Sequence, residues 1–180
     1  MLVLDVDETL LHASDDPPKR TADFRCGPYF VLRRPHLREF LLKCAGPFQL
    51  AVWSSSSPDY LHAVLAQAVP PEVRLVFVWS RERCVRRFDP ELQEHYFVKD
   101  LRKVKRIGFD LARVLIVDDT PKKLERNYGN AVYVKPFLGD SDDDELPWLA
   151  AYLRTMVTAD NVRQIEKRGW RSSLTTGPRK

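Results

Sequence analysis

An α/β domain built on a parallel sheet is the fold class this sequence predicts, on three observations. Short runs of β-branched and apolar residues recur along the chain, segments with helical spacing separate them, and acidic residues follow two of the runs. At 180 residues, 44% hydrophobic and 30% charged, with 7 glycines and 13 prolines, the chain is long and apolar enough for one buried core and unlike a low-complexity or collagen-like polymer.

The first strand is predicted over Leu2–Val6, an apolar run ending at the acidic Asp5-Val6-Asp7-Glu8. Residues 14–30, with Pro17-Pro18 and Cys26-Gly27-Pro28, break the alternation and read as a loop excursion. Pro35–Cys44 opens on a proline suited to a first helical turn and carries Leu37, Phe40, Leu41 and Cys44 on one face, so it is predicted to be a helix. Phe48–Trp53 is the second strand. Pro58–Ala68 repeats the proline-led helix, with Leu61, Val64, Leu65 and Ala68 aligned and Pro70-Pro71 closing it. Val73–Trp79 is the third strand, and Ser80–Val98 reads as a second, strand-rich excursion. Leu101–Leu111 is predicted to be helical, Arg113–Val117 a strand, Pro121–Arg126 a short helix, Ala131–Val134 a strand, and Leu146–Val157 a helix that packs Trp148, Leu149, Tyr152 and Leu153. The polar, basic stretch Arg168–Lys180 is expected to fray. The division that follows is a body over 1–157, which includes an insertion at 80–98, and a C-terminal helix with a basic tail over 158–180.

A net charge of +4 favours anionic partners in general without marking the chain as a nucleic-acid binder. Three widely spaced cysteines, Cys26, Cys44 and Cys84, include no C-x-x-C pair, so neither a disulfide framework nor a zinc knuckle is expected. No run approaches the ~18–20 apolar residues of a membrane span, and the start lacks a signal-peptide pattern. The expected setting is cytoplasmic, with a nuclear one as the alternative and no membrane as partner.

In a parallel sheet, ligands bind at the carboxyl ends of the strands, which places Asp5 and Asp7 at the mouth of the crevice. Two carboxylates there repel and raise one another's pKa unless a cation neutralises them, and a hard ion such as Mg²⁺ suits oxygen donors. Asp118-Asp119 occupies the same position after the strand Arg113–Val117, and a helix dipole alone would account for Asp119 but not for both motifs. Between them, Ser54, Ser55, Ser56 and Ser57 place hydroxyls and free backbone N–H groups where a phosphate could be held, Ser54 first among them. Lys99, nineteen residues before Asp118, falls on the same rim.

An Asp-x-Asp-x-Thr motif, a hydroxyl residue, a lysine and an acidic pair in that order resemble the haloacid dehalogenase superfamily. The segments Asp5–His12, Arg34–Leu41, Tyr96–Leu101 and Val114–Pro121 are similar, more narrowly, to the FCP/SCP-like phosphatases, also called NLI-interacting-factor-like, which act on the C-terminal domain of RNA polymerase II in eukaryotes. The resemblance spans Leu2–Tyr152. It implies a Rossmann-like parallel sheet flanked by helices, with the insertion as a small β-rich flap, and a Mg²⁺-dependent phosphatase. In that scheme Asp5 is the nucleophile and Asp7 the general acid and base. Asp5, Asp7 (through its backbone carbonyl), Asp118 and Asp119 surround the metal, Asp119 directly and Asp118 through its hold on Lys99. Ser54, Ser55 and Lys99 bind phosphate, and Thr9 braces the loop through backbone hydrogen bonds. The substrate it implies is a phosphorylated protein or peptide. A nucleotide, a polynucleotide end or a small metabolite is the alternative substrate, and a non-catalytic scaffold like the mitochondrial translocase subunit of this fold is the alternative class. The sequence departs from the family pattern at Ser54, where threonine is usual, and at Asp119, where asparagine is common. The extra acid is expected to tighten the metal.

Overall fold

A computed structural model describes residues 1–175. The strands are β1 (Leu2–Leu4), β2 (Leu11–Ser14), β3 (Phe24–Cys26), β4 (Tyr29–Arg33), β5 (Leu50–Trp53), β6 (Leu75–Trp79), β7 (Val85–Asp89), β8 (Glu94–Val98), β9 (Leu115–Asp118) and β10 (Ala131–Tyr133). The α-helices are α1 (Leu37–Ala45), α2 (Pro58–Ala68), α3 (Arg102–Arg106), α4 (Glu145–Thr155) and α5 (Trp170–Thr175). Five strands form a parallel sheet in the order β10-β9-β1-β5-β6. The predicted α/β class is the one observed.

β1 is central because it is apolar on both faces: Leu2, Val3 and Leu4 are all fully buried. Leu2 and Leu4 pack with Leu37, Phe40 and Leu41 of α1 and Leu149 and Leu153 of α4, whereas Val3 faces Ala51, Trp53, Ile116 and Val104 across the sheet. Leu4 is in register with Val52 on one side and Val117 on the other. Asp118, the last residue of β9, and Asp5 and Ser54, which follow β1 and β5, therefore lie side by side where the strand order changes direction.

Three predicted elements differ from what the structure shows. The excursion over 14–30 keeps a loop at 15–23 but ends in strand: β2, β4 and β3 form an antiparallel sheet, and Gly27, at φ +57°, begins the two-residue turn between Cys26 and Tyr29. Glycine at that turn position favours a hairpin, so the Gly-Pro pair is its hinge rather than a sign of loop. The helix expected over 101–111 stops at Arg106, because Gly108 takes φ +100° and Asp110 caps a separate 3-10 turn, Leu111–Arg113, by accepting from the Ala112 N–H. The expected short helix at 121–126 is likewise a 3-10 turn, Pro121–Leu124.

The region from Arg168 also packs where fraying was expected. Trp170 is buried, donates its indole N–H to the Tyr133 carbonyl at 2.7 Å and lies against the Tyr152 ring, while Arg171 pairs with Glu145 and Asp144. One large ring reaching the core outweighs the polarity of its neighbours. Residues 176–180 of the expected tail lie outside the described residues. The insertion is a hairpin, β7 with β8, as its composition predicts.

Candidate functional site

Asp5 follows β1 and keeps the ladder going by donating its N–H to the Val117 carbonyl at 3.0 Å. After Asp7 the chain turns at Glu8, which adopts φ +56°, an uncommon conformation for a side chain of this kind. The turn is held by the Glu8 N–H on the Leu11 carbonyl at 2.8 Å and by the Phe137 N–H on the Glu8 carbonyl at 2.7 Å. Arg34 buttresses the loop from below. Its fully buried guanidinium donates to the Thr9 carbonyl at 3.0 Å and forks onto both carboxylate oxygens of Asp143, at 2.7 and 2.8 Å.

Asp5, Asp118 and Asp119 converge, each with a carboxylate oxygen within 4.8 Å of the others. Lys99, with no exposed surface, lies between the first two, its Nζ 2.5 Å from Asp5 Oδ1 and 2.6 Å from Asp118 Oδ2. Burial disfavours charge on Asp5, but Lys99 and Lys123 outweigh it and hold the carboxyl below the usual range. Burial and the Asp5 charge push Asp118 the other way, up to about 7. Burial also works against the Lys99 ammonium, which Asp118 and Asp5 nevertheless hold above the ordinary lysine range.

Asp7 stands apart from this cluster. Its carboxylate accepts from Ser54 Oγ at 3.2 Å, Ser56 Oγ at 2.5 Å and the Tyr60 hydroxyl at 2.7 Å. Burial and the Asp7 charge raise the Tyr60 pKa, so the phenol stays a proton donor. One carboxylate clamped by a lysine and another held by neutral hydroxyls give two acids of different character at one strand end. Tyr60→Phe removes one donor to an anion, and the expected result is a kcat about tenfold lower with an unchanged melting curve. A kcat equal to wild type in steady-state assays would show that the serines hold Asp7 unaided.

The expected site residues thus fall into two groups, with some corrections. Ser54 is buried beside Asp7 and Ser56 joins it there, whereas Ser55, expected to bind phosphate, makes no side-chain hydrogen bond among the described residues. Thr9 sends its hydroxyl to Asp5 Oδ2 at 3.4 Å instead of to backbone, and only its N–H is engaged with the main chain, at the Val6 carbonyl. The Asp7 carboxylate is not among the three that gather. Three residues went unforeseen. Tyr60 sits one helical turn into α2; Asn127 receives the Leu101 N–H and donates to the Lys99 carbonyl, fixing the lysine's backbone; Lys123 approaches all three clustered acids. Lys123 stands four residues after Asp119, a spacing that aligns side chains on a helical turn and is the one signal that could have revealed it.

The three gathered carboxylates fit a hard divalent cation. Asp119 Oδ1 is buried with no hydrogen-bond donor, while its Oδ2 is taken by the Thr120 hydroxyl at 3.0 Å. Asp5, Asp118 and Asp119 are the residues that would hold it.

A family model described as NLI interacting factor-like phosphatase matches residues 1–163. The chain belongs to that family. Within it, the chain is 31% identical over 179 residues to the human carboxy-terminal domain RNA polymerase II polypeptide A small phosphatase 1, an alignment covering 91% of this chain and 62% of the relative. It is 29% identical over 169 residues to a Dictyostelium discoideum CTD small phosphatase-like protein 2, covering 90% and 28%, and 31% identical over 179 residues to phosphatase Herzog of Drosophila melanogaster, covering 91% and 46%. The chain spans less than two thirds of the length of each. Among solved structures, fission yeast RNA polymerase II CTD phosphatase Fcp1, bound to beryllium fluoride, shares the fold at a TM-score of 0.58 and 16% identity, over 97% of this chain and 61% of that one. In this NLI interacting factor-like family member, Asp5, Lys99 and the Asp118-Asp119 pair, far apart in sequence, meet in one cluster, and Asp7 pairs with Ser54 beside it.

Proposed function

We propose that the chain is a Mg²⁺-dependent phosphatase that removes phosphate from serine or threonine of a protein or peptide. The observation that carries this reading is the separation of two carboxylates two residues apart, Asp5 on Lys99 and Asp7 on hydroxyls. Asp5 Oδ1 is engaged by Lys99, and Oδ2 has only long contacts, 3.4 Å to both Thr9 and Lys123, which makes it the freer oxygen for attack. In the first step an Asp5 oxygen bonds to phosphorus as the ester P–O bond breaks, and Asp7, carrying the proton it took from water in the preceding turnover, delivers it to the leaving alkoxide. In the second, water bonds to phosphorus, Asp7 takes its proton, and the Asp5–phosphorus bond breaks to release inorganic phosphate. Ser54 and Lys99 are assigned to the phosphoryl oxygens. Mg²⁺ held by Asp5, Asp118 and Asp119, together with the Asp7 carbonyl, would neutralise charge where an anionic nucleophile meets an anionic group.

The surroundings favour a side chain reaching in over a metabolite enclosed whole. The cavity beside Asp7 is small, about 270 Å³ at the lower edge of the roughly 300–1,000 Å³ of small-molecule sites, and is lined by Tyr29, Ser56, Ser57, Tyr60 and Arg81. Next to it the flap presents Arg86, Phe97, Phe88 and His95 on one face, with Arg81 over the Phe97 ring. Neither Arg81 nor Arg86 is paired with a carboxylate among the described residues, which suits an anionic peptide. Relatives described as phosphatases of the polymerase C-terminal domain point the same way. The described residues include no helix long and apolar enough to cross a membrane. The cytoplasm is the setting proposed for the chain, with the nucleus as the alternative.

The test is a panel of phosphopeptides, 5′- and 3′-phosphorylated oligonucleotides and small phosphate esters, each with Mg²⁺ and again with chelator. The expected outcome is phosphate release from phosphoserine or phosphothreonine peptides that falls at least about a hundredfold on chelation. Preference for an oligonucleotide end or a metabolite would overturn the substrate class, and no release from any ester would leave only the scaffold reading.

A further inference from the structure

We propose that Lys123 is a second cationic positioning residue of this site: it is a built-in counter-ion of the acidic cluster that yields to the divalent cation and then bears on the phosphoryl group. This rests on the phosphatase reading for its second half only.

The two lysines of the site are held very differently. Lys99 is enclosed and sits at short distances from two acceptors, one oxygen each of Asp5 and Asp118. Lys123 approaches from the other side, toward the remaining oxygens: 3.4 Å from Asp5 Oδ2, 3.8 Å from Asp118 Oδ1 and 3.5 Å from Asp119 Oδ1. All three distances lie beyond the usual 2.7–3.2 Å of an N–H···O bond. Its ammonium is therefore shared among three acids and bound tightly to none, and the side chain retains 20% of its exposure where Lys99 has none. A compact point charge on a flexible stem is suited to such a shared, movable role.

The backbone beneath it is fixed. The Lys123 carbonyl accepts the Lys99 N–H at 2.8 Å and the Lys123 N–H reaches the Thr120 carbonyl at 3.1 Å, so both lysines are anchored to one another while only one side chain is loose. The 3-10 turn divides its pair of lysines by direction. Lys122 points to the flap, onto Asp89 and over the Tyr96 ring, and Lys123 points to the acids.

Charge counting gives the consequence. With all three carboxylates ionised, as binding of a cation requires, Lys99 leaves the cluster at −2, and Lys123 brings it to −1. A divalent cation with Lys123 in place gives +1, which attracts a phosphate dianion, whereas without Lys123 the loaded site is neutral. The lysine thus weakens the metal and strengthens the anion, opposing the tightening expected from Asp119 alone.

The experiment is calorimetric titration of the full chain and of Lys123→Met, Lys123→Gln and Lys123→Arg, first with Mg²⁺ and then with inorganic phosphate at saturating Mg²⁺. The expected result for Met and Gln is Mg²⁺ binding about tenfold tighter and phosphate binding about tenfold weaker, with Arg within about threefold of wild type on both. Opposite signs on the two ligands cannot arise from loss of structure. Unchanged or weaker Mg²⁺ binding in the neutral variants would overturn the counter-ion role, and unchanged phosphate binding would overturn the phosphoryl role. A measurement without substitution runs in parallel: the Lys123 side-chain methylene resonances of the wild-type chain should shift saturably with Mg²⁺, and no shift also overturns displacement. Because the Mg²⁺ arm uses no substrate, it stands or falls apart from whether a phosphoester is ever found.

Discussion

Asp5→Asn should reduce turnover of a phosphate monoester by at least about a thousandfold, equivalent to about 4 kcal/mol of lost transition-state stabilisation. The amide oxygen is a poor nucleophile, and the change also removes one of the two anions that face Lys99. The fold should survive, since Lys99 keeps Asp118 at 2.6 Å and the buried charges remain matched one to one. The check is a steady-state assay on the best phosphopeptide beside a thermal melt. Activity within tenfold of wild type, with the melt unchanged, would remove Asp5 from the role of nucleophile and leave the cluster as a metal site only.

The largest expected loss of stability belongs to Arg34→Met. Arg34 is fully buried and its two-pronged contact with Asp143 and third bond to Thr9 satisfy a cation that would otherwise be costly inside the protein. Removing the cation leaves the Asp143 carboxylate with only the Glu145 N–H at 3.1 Å, and breaking a buried pair in this way costs about 3–5 kcal/mol. Urea denaturation should show a midpoint shift of that size without a change in slope. Replacing both partners, as Arg34→Met with Asp143→Leu, should recover most of the loss, because no unpaired charge is left. A single-variant loss below about 1 kcal/mol would mean that Asp143, 15% exposed, is adequately solvated without its partner.

The predictability of these features differs by the range of the interaction that sets them. β1, β5 and β9 could be read from composition because strands buried on both faces need uninterrupted apolar runs, and Asp5, Ser54 and Asp118 followed from being the residues next in line. α2 was marked at both ends by prolines and matches its prediction residue for residue. What escaped depends on contacts with distant partners. The antiparallel sheet of β2, β4 and β3 is made by pairing across a loop, Trp170 is ordered by Tyr133 and Tyr152, and the end of α3 is decided by the backbone of Gly108. In the site the same distinction holds. Residue type and position pointed to Asp5, Asp118 and Asp119, which gather, but not to the turn of Asp7 toward Ser56 and Tyr60, because the direction of a side chain is settled by its neighbours in space.

The pairing of Lys99 with Asp5 and Asp118 has a consequence for the life history of the molecule. A domain whose clustered ligands can only be held together by a captured ion, like the cysteines and histidines of zinc fingers, remains unfolded until the ion arrives. Here the reconciling charge is covalently part of the polypeptide, so a newly synthesised chain can mature first and acquire its ion afterwards, and chelation should switch the protein off reversibly rather than denature it.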